Sequence, residues 1–398
     1  MMRFFTSLLV LFCCYVIQAE ISVHSDFEGG SVEVLEMDSE KQFMKVMPAA
    51  HKGKGWRCWW YFRVDGLKAA SDLILEVGDA PWATPDRSHF SDDGGKSWNH
   101  IPHVGTREGK KIRYRIPIAK ESILLAWGPP FTATDSQKLV DALAEKHEVA
   151  SSFNLATTRE DRPTPALRVT ASGDSSKRKV IWLQARQHAW ESGGSWVAKG
   201  VADYLVSDVD SAKALREQAV IYLVPVMDID NVARGAGGKS QLPQDHNRDW
   251  SDAPHWRAVV AAQERILKWD KDGRFAFFCD LHNPGMQDRF PYFYIPPRDQ
   301  LSGEKVQRLN EFLAVAKGEI TGSLKFTGRA VESGPTYDPK NWQKISMNWV
   351  AQNTGDEVVA ATLETSWNTP SSSFGNYEEV GRQLGEAISK FQIESNQR

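Results

Sequence analysis

His188 and Glu191 lie three residues apart in Ala185-Arg186-Gln187-His188-Ala189-Trp190-Glu191-Ser192, and a second imidazole, His282, follows far downstream in Cys279-Asp280-Leu281-His282. Zinc takes His nitrogen and carboxylate oxygen tetrahedrally, and catalytic sites keep the fourth position for water or substrate. Two imidazoles and one carboxylate therefore form the donor set of an open zinc site. A separation of three lets His188 and Glu191 project from one side of a helical turn and leaves room for a distal ligand. His282 suits that place because Phe275-Ala276-Phe277-Phe278-Cys279 is an apolar run that reads as a buried strand, and ligands gather at strand ends. Asp280 is then either a partner of the metal ligand or a strand-end polar residue.

A His and a Glu three apart are commonly solvated surface, so the weight falls on two further segments. Gln244-Asp245-His246-Asn247-Arg248-Asp249-Trp250 sets an amide beside a guanidinium, and the apolar run Val358 to Leu363 ends on Glu364. Arginine's planar fork matches a carboxylate. A carboxylate near a metal takes a proton from water and later gives it to a leaving amine.

Taken together these segments resemble the zinc metallocarboxypeptidases, and more closely the cytosolic-carboxypeptidase branch, over nearly the whole chain after its leader. The resemblance implies one zinc ion (Zn2+) held by His188, Glu191 and His282, with Asn247 and Arg248 on the substrate's terminal carboxylate and Glu364 as general base. It implies hydrolysis of the C-terminal bond of peptides or proteins. Departures are visible. The family's Asn-Pro-Asp-Gly segment is Asp228-Ile229-Asp230-Asn231 here, a polar turn after the apolar Val220 to Val226 strand. The arginine that stabilises the oxyanion falls on Gly238 by ungapped counting, so Arg234 and Lys239 both remain open. The Gly235-Ala236-Gly237-Gly238 run reads as a flexible loop carrying one of them inward or as a surface loop. Tyr337 is the nearest equivalent of the family's mobile tyrosine.

The elements that must position these groups read as two domains after a leader. Residues 1–19 carry Arg3, an apolar core from Phe4 to Ile17 and a small residue at Ala19, the pattern of a cleavable secretory signal peptide. The expectation is a secreted or periplasmic protein with no stable membrane span after cleavage. Of the four cysteines only Cys58 and Cys279 lie beyond the leader, which indicates no disulfide framework. A formal net charge of −3 over 398 residues gives no sign of a nucleic-acid partner.

Residues 20–130 read as a β-sandwich, with strands at Trp56 to Val64, Leu73 to Val77, Arg113 to Pro117 and Ile123 to Trp127. Trp56, Trp59 and Trp60 are expected in its core, with ligand binding by this aromatic cluster as the alternative. Ser91-Asp92-Asp93-Gly94-Gly95-Lys96-Ser97-Trp98 matches an Asp-box hairpin; occurring once, it reads as a stabilised turn, with carbohydrate binding as a secondary idea. Residues 131–398 alternate strands and helices, beginning with a helix through Leu139 and Leu143 capped by Thr134 or Asp135. The expected class is α/β, a mixed sheet flanked by helices and preceded by the sandwich. The competing functions are a different zinc amidohydrolase on the same scaffold, such as a cell-wall peptide amidase or acyl-amino-acid deacylase, and a non-catalytic binding protein.

Overall fold

Strict alternation in Lys111–Ile118 puts Ile112, Tyr114, Ile116 and Ile118 on one buried face and polar residues on the other, the period-2 signature of a half-buried strand. That pattern recurs through the front of the chain. The computed structural model describes residues 20–51, 54–78 and 83–395; the leader expected over 1–19 lies outside the described residues. The front strands are β1 (Ser22–His24), β2 (Glu33–Asp38), β3 (Phe43–Met47), β4 (Tyr61–Asp65), β5 (Ser71–Gly78), β6 (His89–Ser91), β7 (Asn99–His100), β8 (Thr106–Glu108), β9 (Lys111–Ile118) and β10 (Ser122–Ala126). They form two five-stranded sheets, β1-β4-β10-β6-β7 and β2-β3-β5-β9-β8. One apolar cluster, including Val46, Trp60, Phe62, Leu75, Tyr114 and Leu125, joins the two sheets. The Asp-box segment is a stabilised turn: Asp93 accepts from Ser91 Oγ (2.7 Å), Ser97 Oγ (2.6 Å) and Ser97 N (3.0 Å).

The strand expected from Trp56 begins instead at Tyr61. At the start of that run Trp56 N donates to Lys239 O (3.0 Å), away from any ladder, and the Trp59 side chain donates from Nε1 to Gly29 O (2.9 Å), whereas Trp60 O still accepts from Trp127 N (2.9 Å) beside the β4–β10 pairing. Trp59 and Trp60 are buried as expected, whereas Trp56 is 37% exposed and reaches the cleft described below.

Beyond the front sheets come α1 (Ala133–Lys146), β11 (Ala150–Thr157), β12 (Pro163–Val169), β13 (Lys179–Ala185), α2 (Ser192–Val206), α3 (Asp210–Gln218), β14 (Ala219–Val224), α4 (Ile229–Arg234), α5 (Arg257–Lys271), β15 (Phe275–His282), β16 (Tyr292–Ile295), α6 (Gly303–Glu319), β17 (Ala330–Glu332), α7 (Ser346–Asn353), β18 (Val359–Glu364) and α8 (Phe374–Ser395). The cap of α1 is Thr132, one turn earlier than expected; Asp135 is its reciprocal partner in a capping box. The eight strands run β11-β12-β14-β13-β15-β18-β16-β17, parallel from β14 to β18 and antiparallel where β12 and β16 join. Helices α2, α3, α6 and α8 share one apolar cluster with Leu281, Phe293 and Leu363. Helices α5 and α7 share another with Trp182, Phe278 and Ala360. The sheet is thus covered on both faces, as parallel strands require.

Helices α2 and α8 approach backbone to backbone. A Cβ at Gly200 would sit 2.0 Å from Glu378 O, and one at Gly381 2.0 Å from Val197 O, so no larger residue fits the crossing without displacing a helix. This clamps α2, and with it the turn that precedes it. Among the described residues no helix is long and apolar enough to cross a membrane.

Candidate metal centre and active-site cleft

Strand β13 ends at Ala185, and the chain bends through Arg186 at φ +62° before α2 starts. The bend is held from inside: the buried Arg186 donates from Nε to Ala189 O (2.7 Å) and from Nη1 to Phe131 O (3.0 Å). His188 and Glu191 project from this bend. It is a single turn closed by Glu191 N donating to His188 O (3.1 Å), which supplies the helical-turn spacing just ahead of α2.

His282 is the last residue of β15. Its Nδ1 lies 2.6 Å from Glu191 Oε2, and His188 Nδ1 lies 2.8 Å from Glu191 Oε1. The three donor atoms fall within 4.8 Å of one another, and all three residues are buried. The outer nitrogens face carboxylates: His282 Nε2 is 3.0 Å from Asp280 Oδ2, and His188 Nε2 is 3.3 Å from Asp245 Oδ1. Carboxylates behind metal-binding imidazoles fix the tautomer that leaves the other nitrogen free to ligate. Burial opposes charge on Glu191, yet the two imidazoles hold its carboxyl well below the usual range. A carboxylate between two inward-facing Nδ1 atoms is the donor set that a zinc ion needs.

Asp280 is therefore a partner of His282 and no exposed strand-end group. It is fully buried, and it also accepts from Ser346 Oγ (2.6 Å) and Gln187 Nε2. Asp280→Asn is expected to weaken zinc affinity about 10- to 100-fold, read by chelator competition. Wild-type affinity in that variant would show that Asp280 serves packing alone.

Glu364 ends β18 directly beside His282 in the parallel register. Its Oε2 is buried without a hydrogen-bond partner. Burial pushes its carboxyl up to about 8, with His282 opposing and Glu191 adding to the rise. Asn247 and Arg248 sit on one 3-10 turn, His246–Arg248, capped by Asp245 through Asn247 N (2.9 Å). Asn247 Oδ1 accepts from Gln187 Nε2 (3.1 Å) and Ser346 N (3.0 Å). Arg248 donates from Nε to Asp338 Oδ2 (2.7 Å) and from Nη1 to Asn247 O (2.9 Å).

The structure separates the two basic residues that the sequence left open. Arg234 is exposed and turned toward Glu160 and Asn231. Lys239 lines the cleft with its Nζ 3.4 Å from His188 Nε2 and 5.8 Å from the Trp56 ring centroid. The loop between them is buried, so the surface-loop alternative does not apply. Gly237 and Gly238 permit this: a Cβ at Gly237 would lie 2.1 Å from Trp56 O, and one at Gly238, at φ +79°, 2.4 Å from Ala189 N. The polar turn expected at Asp228–Asn231 is the cap and first turn of α4.

These groups share one cavity of about 380 Å³. His188, Glu191, His282, Asn247, Arg248, Glu364, Lys239 and Tyr337 all line it. Of the site residues expected from the sequence, all but the open candidate Arg234 are brought together. Trp56, Tyr292, Tyr294, Met347 and Trp367 also line it; their aromatic or apolar character reads as core in sequence, and only tertiary packing could have placed them.

The fold is that of the zinc carboxypeptidases. It superposes on a metallo-carboxypeptidase from Burkholderia cenocepacia with a TM-score of 0.80 at 18% identity, covering 94% of this chain and 100% of the other. A Pseudomonas aeruginosa metallo-carboxypeptidase in complex with (2-guanidinoethylmercapto)succinic acid gives 0.75 at 20% identity, covering 94% and 99%. The family described as zinc carboxypeptidase matches residues 137–264, a span that contains His188, Glu191, Asn247 and Arg248 and stops short of His282 and Glu364. The chain is similar to mouse cytosolic carboxypeptidase 6, 23% identical over 298 residues, covering 67% of this chain and 54% of that protein. It is similar to human cytosolic carboxypeptidase 1, 22% identical over 308 residues, covering 66% and 25%. It thus spans about half and about a quarter of these relatives' lengths. Residues 137–264 thus match the zinc carboxypeptidase family, the chain is similar to cytosolic carboxypeptidases, and its fold is that of the bacterial metallo-carboxypeptidase structures.

Proposed function

We propose that this chain is a zinc-dependent metallocarboxypeptidase that removes the C-terminal residue of peptides or proteins, with Glu364 as general base. The observation that carries the reading is the placement of Arg248 in the same cavity as the three donors and Glu364. An exopeptidase must hold one free carboxylate and hydrolyse the adjoining bond, and this cavity offers a cation for the first task and a base for the second.

In this reading His188, Glu191 and His282 hold the metal, and zinc when bound supplies Lewis acidity toward the scissile carbonyl and an acidified water. Arg248 pairs with the terminal carboxylate, and the amide of Asn247 assists it. Glu364 takes a proton from the attacking water at Oε2 and returns it to the leaving amine nitrogen. Lys239 brings positive charge to the oxygen that gains negative charge in the transition state. Trp56, reaching in from the front sheets, covers Lys239 and keeps it beside His188.

Peptides with a free C-terminus should be hydrolysed and their C-terminal amides left intact. Equal turnover of both would move the reading to an amidohydrolase on the same scaffold, and hydrolysis of neither would favour the binding-protein reading. Metal analysis of purified protein should find a single zinc ion, lost in a His188→Ala/His282→Ala double variant. Full occupancy in that variant would refute the ligand assignment.

A further inference from the structure

We propose that the cleft selects substrates whose C-terminal side chain is uncharged and apolar or aromatic, and rejects acidic and basic ones; this rests on the carboxypeptidase reading above. The argument comes from the order of side chains across the sheet. At the strand ends, His282, Glu364 and Tyr292 stand side by side on β15, β18 and β16. One pair inward, Leu281, Leu363 and Phe293 turn to the opposite face and join the core there. Two inward, Asp280, Thr362 and Tyr294 return to the same face as the metal row.

The floor of the cavity therefore runs from the metal row onto Thr362 and Tyr294, both of which line it. Asp280, the third member of that inner row, is fully buried against His282, Ser346 and Gln187. Two further pairs inward, Phe278 and Ala360 belong to an apolar cluster that also contains Met347. Met347 lines the cavity as well, so the inner end closes on hydrophobic core. Ile345 and Tyr337 complete the lining there.

Charge among the described residues reaches this end only through Arg248, whose guanidinium lies 5.9 Å from the Tyr337 ring centroid and is bonded to Asp338. Among the described residues lining the cavity, the cations are Lys239, beside His188 Nε2, and Arg248, bonded to Asp338. The lining carboxylates, Glu191 and Glu364, both belong to the metal centre. With the terminal carboxylate on Arg248 and the scissile bond at the metal row, the terminal side chain is left with the inner surface. With Arg248 engaged by the terminal carboxylate and Asp338, an acidic or basic side chain would lose its water there and find no counter-charge left free, which is strongly unfavourable. A Phe or Leu side chain would trade water for Met347, Ile345 and aromatic rings.

The test is a matched set of blocked dipeptides ending in Phe, Leu, Glu or Lys, with the Phe amide as a fifth member, assayed on the zinc-loaded full chain. The expected result is a kcat/KM for Phe and Leu roughly 100-fold or more above that for Glu and Lys, with no use of the amide. Comparable use of the Glu or Lys substrate would overturn this inference while leaving the carboxypeptidase reading intact. Equal use of the Phe amide, or hydrolysis of none, would instead overturn that reading and this inference with it. Met347→Arg should raise the Glu-to-Phe ratio of kcat/KM by at least about tenfold, a ratio that partial loss of folded protein does not alter. An unchanged ratio in folded variant would remove Met347 from the selecting surface, and should that variant not fold, the wild-type set still decides.

Discussion

Glu364→Gln is expected to lower kcat on free-acid peptides about 10²- to 10⁴-fold while zinc content stays at the wild-type level. The size follows from the loss of a single proton acceptor within reach of the reacting water. Geometry explains why metal binding should persist: the donors are His188, Glu191 and His282, and Glu364 meets His282 through the ladder between β15 and β18. Glutamine keeps the shape. Because Glu364 Oε2 has no hydrogen-bond partner, the amide sacrifices no bond of the folded state, and the thermal midpoint should hold. Parent-rate turnover in this variant would make Glu364 a structural residue, and the base would have to be another carboxylate.

Arg248→Ala should weaken use of free-acid peptides by about 2–5 kcal/mol in kcat/KM, the cost of leaving a desolvated carboxylate without its partner. At about 1.36 kcal/mol per tenfold, that is roughly 30- to 5,000-fold. The guanidinium is already held by Asp338 and the carbonyl of Asn247, so it is presented to the substrate in a preset orientation at little further entropic cost. Peptides lacking a free carboxylate should be affected little. Losses of equal size on both substrate types would mean that Arg248 and Asp338 form a structural pair, and the amidohydrolase reading would then take precedence. Asp338→Asn is the companion measurement, since it loosens Arg248 without removing its charge and should cost less.

The two largest effects fall on residues that the sequence already exposes, and the reason is the same for each. Asn247 and Arg248 are adjacent, His188 and Glu191 share one turn, and His282 and Glu364 each close an apolar run. Neighbour spacing and strand ends are local properties, and the core-facing run of a parallel strand is continuous enough to read. Short elements were harder to see: β16 and β17 carry little periodic signal, yet β16 supplies Tyr292 and Tyr294 to the cleft.

The choice between Arg234 and Lys239 shows where local reading stops. Both sit on the same glycine-containing stretch, five residues apart, and nothing in their neighbourhood favours one. The decision comes from Trp56, far earlier in the chain, whose N–H takes the carbonyl of Lys239 and whose own carbonyl lies where a side chain on Gly237 would have to go. That docking also withdraws Trp56 from the strand its β-forming character suggests, because a backbone N–H bonded to Lys239 O cannot also pair in a sheet.

The sequence by itself determined the chemistry available to this protein: two imidazoles and three site carboxylates or amides with one guanidinium, each at a turn or strand end. Tertiary structure alone decided which basic side chain faces the metal centre and which surface the substrate's terminal side chain meets. Both depend on strand register and on contacts between segments distant in the chain, and a one-residue shift in register would send Thr362, Glu364 and Tyr294 to the opposite face of the sheet.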